Sequence, residues 1–230
     1  MNKAWKIISK SIKALFFLVI IIINAIVLWR VFFSGDPSSI KPLMANENTV
    51  AAYKEHCKNL RLETQEQRTI SSSGKFSVTE CVFIPQANQI QITVRYNNST
   101  LKYLADDYEL PEAPDRKNEI FDVTIVKTTD LTPDNPKDNT DKSTLREDRY
   151  FPSGEAKTAY KTLYSYRKFI FDNVSYEDAV GMFVDIYYKE DIDYSSTPYD
   201  ALCIYDALMP IEEIPLSGAD KKAIEKAAKN

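Results

Sequence analysis

The chain has 230 residues, 44% of them hydrophobic, with 29 basic and 33 acidic side chains and a formal net charge of −4. Five of the basic residues (Lys3, Lys6, Lys10, Lys13 and Arg30) fall in or before an N-terminal apolar block, leaving 24 bases against 33 acids beyond it, a net of −9. So acidic a remainder excludes nucleic acid as a partner, because phosphate binding needs a basic surface.

The first element is that apolar block. Sixteen residues from Ala14 to Trp29 are interrupted only by Asn24, and Phe32 and Phe33 extend the block to twenty positions. Twenty helical residues span roughly 30 Å, the thickness of a bilayer's hydrocarbon core. Trp5 and Trp29 flank the block as interfacial rings do. A cleavable signal has a shorter apolar region, about 7–15 residues, followed by small residues. "WRVFFSGD" is bulky there, so 14–33 reads as an uncleaved signal-anchor. Lys3, Lys6, Lys10 and Lys13 precede it and no acid occurs before Asp36. Positive residues stay inside, which makes 1–13 a cytoplasmic flank and puts the rest of the chain outside a cell membrane it crosses once.

Residues 34–44, "SGDPSSIKPLM", carry the Gly, Pro and Ser of a short tether. "NENTVAAYKEHC" then reads as a short helix capped by Asn48, with Val50, Tyr53 and Cys57 on one face. From there to residue 216 the period is two. In "KFSVTECVFIP", Phe76, Val78, Val82 and Ile84 share one side. In "NQIQITVRYN", Ile90, Ile92, Val94 and Tyr96 alternate with polar residues, as in a strand buried on one face. Phe121, Val123 and Ile125 repeat the pattern, and so do "KTLYSYRKFIFDNV", "GMFVDIYYK" and "YDALCIYD". Polar turns rather than long helices join these runs. The expected fold of 45–216 is therefore mainly β, an antiparallel β-sandwich of immunoglobulin-like architecture. "STLKYLADDYEL" is a helical excursion. Residues 127–149 contain only Leu131 and Leu145 as large apolar side chains and read as a mobile loop. Ser217 and Asp220 form a capping box for a C-terminal helix over 217–230, whose Ala-rich apolar face should pack weakly.

Chemistry-bearing motifs are sparse. The one histidine, His56, sits in the short helix beside Glu55 and Cys57, and adjacent helical residues point in different directions. No nucleophile elbow, zinc-protease motif or P-loop occurs, and the five glycines are scattered. The chain reads as non-catalytic, with no cofactor. Cys57, Cys81 and Cys203 match no zinc spacing and allow one disulfide at most. Ten of the fourteen tyrosines lie between Tyr150 and Tyr205. They are good strand residues, and an exposed stripe of them could stack on sugars.

"KEDIDYSSTPYD" offers a candidate calcium site. Asp191 and Asp193 share a face in extended chain, and the turn at Thr197-Pro198 could return Asp200 toward them. The spacing matches no calcium-loop motif. The functional expectation is a membrane-anchored, extracytoplasmic binding or adaptor module of the cell envelope, partnered by another envelope protein. The alternative is a cell-wall or carbohydrate-binding module. Basic flank, anchor, tether and β domain together resemble the plan of many bacterial surface proteins.

Overall fold

In the computed structural model, described for residues 3–29, 36–65, 69–127, 149–179, 181–205 and 211–229, the chain is mainly β with antiparallel sheets and one apolar N-terminal helix. Helix α1 (Lys3–Trp29) is the apolar one. Its stretch Lys10–Trp29 is long and apolar enough to span a membrane, and none of it is buried against the chain. Phe16 and Phe17 are about two-thirds exposed. Asn24, the polar interruption, donates its side-chain amide to the carbonyl of Ile20 one turn back, at 2.8 Å. Its polar group is thus satisfied within the helix, which is the requirement for a spanning segment. Arg30 to Phe33, the end of the expected span, lie outside the described residues.

Helix α2 (Glu47–Glu55) follows, capped by Asn46 rather than Asn48; the Asn46 side chain accepts from the Thr49 N–H. Then come β1 (Leu62–Gln65), β2 (Thr69–Ile70), β3 (Phe76–Ile84), β4 (Gln89–Asn97), α3 (Thr100–Asp107), β5 (Phe121–Lys127), β6 (Arg149–Tyr150), β7 (Lys157–Tyr160), β8 (Tyr164–Asp172), β9 (Met182–Tyr188), β10 (Asp200–Tyr205), β11 (Ile211–Ile214) and α4 (Gly218–Ala227). The larger sheet runs β11-β1-β3-β4-β8-β7, with β2 paired to β3; the smaller runs β10-β9-β5-β6. Lys127 and Arg149, read from sequence as loop ends, belong to β5 and β6. The remainder of the expected mobile loop, 128–148, lies outside the described residues.

Apolar side chains of both sheets meet in one cluster. Phe76, Phe83, Ile92 and Phe171 come from the larger sheet and Phe121, Ile125, Val184 and Leu202 from the smaller. Strand β3 does not keep the single apolar side expected of it. A bulge between Val78 and Glu80 inserts one residue, and the alternation changes phase there. Phe76 and Val78 before the bulge, and Cys81 and Phe83 after it, all face the common cluster. Val82 and Ile84 turn to the opposite side. A one-residue slip flips every later side chain, so period-two counting across the bulge joined residues of opposite faces.

That opposite side of the larger sheet is also covered. Leu43, Tyr53 of α2, Leu62, Val82, Ile84 and Ile224 of α4 form a second cluster on it. Ile224 is fully buried, so α4 packs more firmly than its alanines suggested. Strand β4 is accordingly buried on both faces. Gln89, Gln91 and Thr93, the polar half of its alternation, are at most 1% exposed.

The segment expected to be a tether lies against this sheet from Ile40 onward. Ile40 and Leu43 are buried, and side chains from separate elements bind the backbone between and beyond them. Lys168 of β8, with no exposed side-chain surface, donates to the carbonyls of Ile40, Lys41 and Pro42 at 3.3, 3.1 and 3.3 Å, and to Glu80 Oε2 at 2.6 Å. Leu43 N–H donates to Asp220 Oδ1 at 2.8 Å. Gln91 accepts the Met44 N–H at 2.9 Å and donates to the Met44 carbonyl at 2.7 Å. Asn46 donates to Asp172 at 2.7 Å. Lys157, directly across the ladder from Lys168, is pushed below the usual lysine range by burial and by the neighbouring charge.

Removing one partner of a buried charge network strands the others, at a cost of about 3–5 kcal/mol. Lys168→Ala should lower unfolding free energy by about that amount in chemical denaturation. It should also open residues 40–46 to proteolysis before global unfolding. A variant with wild-type midpoint would show that the ammonium is not a structural tie.

Candidate functional site

Strand β8 sends alternate side chains to opposite faces. Tyr166 packs with Ile40 and Lys168 binds its carbonyl, while Phe169 and Phe171 join the cluster shared by the two sheets. Arg167 is in phase with the latter pair, so a cation points between the sheets.

Residues 151–156, linking β6 to β7, border a cleft of about 360 Å³, within the size range of small-molecule sites. Phe121, Phe151, Phe169 and Tyr194 supply aromatic wall, and Arg167 lines it too. Gly154 shapes the bordering turn. Its φ of +84° is a left-handed conformation, and a Cβ there would meet nothing within 4 Å. Backbone conformation rather than space is what asks for glycine.

Arg167 is 3% exposed. Among the described residues it donates one hydrogen bond, to the Asn118 carbonyl, and its buried Nε has no partner. Glu119 at the cleft margin gives its carboxylate to Lys189. It is held below its usual range by that bond first and by the charge of Arg167 in smaller part. Asp122 accepts the Tyr194 hydroxyl. Burial, and then this bond, push the Tyr194 phenol up to about 12.

Behind Tyr194 the outer face of the smaller sheet holds a second polar cluster. Arg149 donates to Thr124 Oγ1 at 2.8 Å, Tyr187 OH at 3.0 Å and the Tyr194 carbonyl at 3.1 Å, and lies 3.6 Å from Asp185. Its guanidinium is 5.3 Å from the ring centroids of both Tyr187 and Tyr194. Tyr194 in turn stands edge-on to Phe151, centroids 5.2 Å apart. This stacking holds the aromatic wall upright beside the cleft.

The residues singled out from sequence lie elsewhere. Asp191 sits in the 3₁₀ turn after β9 and is exposed. Asp193, also exposed, accepts the backbone and hydroxyl of Ser195. Asp200 is buried at the start of β10 and accepts the Ser73 hydroxyl at 2.5 Å. Among the described residues no three His, Cys, Asp or Glu side chains are gathered to hold a metal ion, so Asp191, Asp193 and Asp200 do not form one centre. The turn that was to return Asp200 instead delivers it to β10, whose ladder with β9 fixes it opposite Ile186.

His56 is the exposed C-cap of α2. Cys57 leaves the helix with φ +55° and is exposed, so it does not share the buried face of Tyr53. Cys57 and Cys81 are both free thiols, and Cys203 lies half-buried in β10. Three of the described tyrosines lie on different faces. Tyr166 faces Ile40, Tyr188 the shared cluster, and Tyr187 the outer face of the smaller sheet.

Arg167 and Phe151 were not singled out from sequence. The available signal was a basic residue inside the apolar alternation of "YSYRKFIFD". Arginine in the core phase of a strand asks for an anionic or carbonyl partner.

No protein-family model, no curated protein and no solved structure matches the chain.

Burial pushes the Cys81 thiol up to about 12. At pH 8, maleimide should label Cys57 in the native protein and reach Cys81 only after denaturant is added; rapid native labelling of Cys81 would contradict the packing of β3.

Acid stability follows from four carboxylates. Asp107, Glu119, Asp178 and Asp193 are held below their usual range, chiefly by hydrogen bonds from Lys75, Lys189, Lys127 and Ser195 respectively. Because the folded values are depressed, their contribution is complete above the unfolded carboxylate range of about 4 and is lost as pH falls through it. The melting midpoint should hold between pH 7 and about 5 and drop below about 4. Lys127→Met should flatten part of that drop, since it removes the main cause at Asp178. A midpoint that rises on acidification would reverse the assignment.

Proposed function

We propose that this chain is a non-catalytic binding module held at the outer surface of a cell membrane by α1, with its N-terminus in the cytoplasm. The observation that carries the reading is the isolation of α1. None of the twenty residues Lys10–Trp29 is buried against the chain, while the β domain closes its own clusters without them. An exposed apolar surface of that size is covered by a partner phase, and length and composition suit a bilayer. The lysines ahead of it give the orientation.

The β domain is read as a sandwich, supported by the cluster drawn from both sheets. It departs from the immunoglobulin plan of seven or nine strands, with eleven among the described residues and two helices on the larger sheet. Its partner is another protein of the same envelope, in keeping with its acidic surface. The carbohydrate reading has less support, because Tyr166, Tyr187 and Tyr188 lie on separate faces.

The test is protease accessibility. Protease added to intact cells or spheroplasts should digest everything after residue 34 and leave an N-terminal fragment in the membrane. Digestion only after permeabilisation would overturn the orientation, and a mature chain beginning after Phe33 would overturn the anchor.

A further inference from the structure

We infer that the cleft beside residues 151–156 binds a carboxylate carried on an apolar body, with Arg167 receiving the carboxylate. The inference rests on the binding-module reading and gives that module its ligand class.

Arg167 is an uncommon arrangement for a buried cation. It is charged at every pH the fold survives, and 97% of it is withdrawn from water. An unpaired charge in such a place costs several kcal/mol. Its one hydrogen bond, to the Asn118 carbonyl, leaves Nε without a partner. The contrast with the next residue is direct, since Lys168 has a carboxylate and three carbonyls around it. The acid beside the cleft, Glu119, acts on Arg167 through its charge, while the hydrogen bond it accepts comes from Lys189. A carboxylate entering the cleft would accept guanidinium donors in a dry setting, where charge-assisted bonds are strongest.

The walls define the rest of the ligand. Phe121, Phe169, Phe151 and Tyr194 are aromatic, which suits a ring or branched aliphatic group. Further negative charge is disfavoured, since Glu155, Asp122 and Glu119 outnumber the two cations of the same cleft, Arg167 and Lys189, and Lys189 is already paired with Glu119. A monocarboxylate therefore fits and a dicarboxylate does not. A free amino-acid derivative and the C-terminus of a peptide share this chemistry.

The probes are N-acetyl-phenylalanine and its neutral amide, titrated calorimetrically into the full-length chain in detergent. Charged hydrogen bonds to a buried group are worth about a ten- to hundredfold change in affinity, so the acid should bind at least about tenfold tighter than the amide. N-acetyl-aspartyl-phenylalanine, with its second carboxylate, should bind more weakly than N-acetyl-glycyl-phenylalanine. Whichever of N-acetyl-phenylalanine and acetyl-Gly-Gly-Phe binds tighter identifies the free acid or the peptide end as the source.

Arg167→Met should abolish the preference for acid over amide. Phe151→Ala, a change at a half-exposed ring, should weaken both probes while leaving melting unchanged, and serves if Arg167→Met does not fold. Equal affinity of wild type for acid and amide would overturn the inference, as would no binding of either by a folded protein. Neither result touches the protease experiment, so the site and the anchored-module reading fail separately.

Discussion

The ammonium of Lys168 is the point on which the rest of the fold leans. It is fully buried, and a buried cation is tolerated only where charge and hydrogen-bond acceptors converge on it. Here the acceptors are Glu80 and three consecutive carbonyls from residues 40–42. Those residues are drawn onto the sheet because the lysine requires them. Once they lie there, Leu43 reaches Asp220 and Met44 reaches Gln91, and α4 and α2 are placed beside each other over the same sheet face. A polar requirement in β8 thus decides how an apolar surface elsewhere is covered.

Much of this was legible in the residues. The strands followed their period-two runs, the α4 capping box was written in Ser217 and Asp220, and the apolar helix was written in its composition. What period counting misjudged was the second face of the larger sheet. "NQIQITVRYN" looks half-solvated because glutamine normally faces water. Gln89 and Gln91 are instead buried and bonded to Asn46 and Met44, some 45 residues away in sequence, and no local pattern encodes that. The bulge in β3 is equally silent in sequence, since no glycine marks it. Among the candidate ligands, Asp191, Asp193 and Asp200 were grouped by proximity along the chain, while a strand start separates Asp200 from the other two.

Consecutive cations on β8 have opposite fates. Lys168 turns toward the strap at residues 40–46 and is fully solvated by protein. Arg167 turns between the sheets and keeps donors in reserve beside an aromatic cleft. Adjacent strand positions point to opposite faces, so one dipeptide serves both structure and recognition. Alternation made both visible as basic residues inside an apolar run, but which one is satisfied depends on chain segments far from either.

The strap also sets how the domain would bear load. Only eleven residue steps separate Trp29 from the buried Ile40, so Ile40 lies within about 40 Å of the helix end. A pull on α1 enters the fold at residue 40. There it meets Lys168, where three consecutive carbonyls share one buried ammonium. Beyond it the ties are spread along the chain: one bond from Leu43 to Asp220, a pair between Met44 and Gln91, and Asn46 bonded to Asp172 and Gln89. Detachment under tension would therefore begin at its most resistant step and then run on by peeling, with α2 next in line and the paired sheets loaded last.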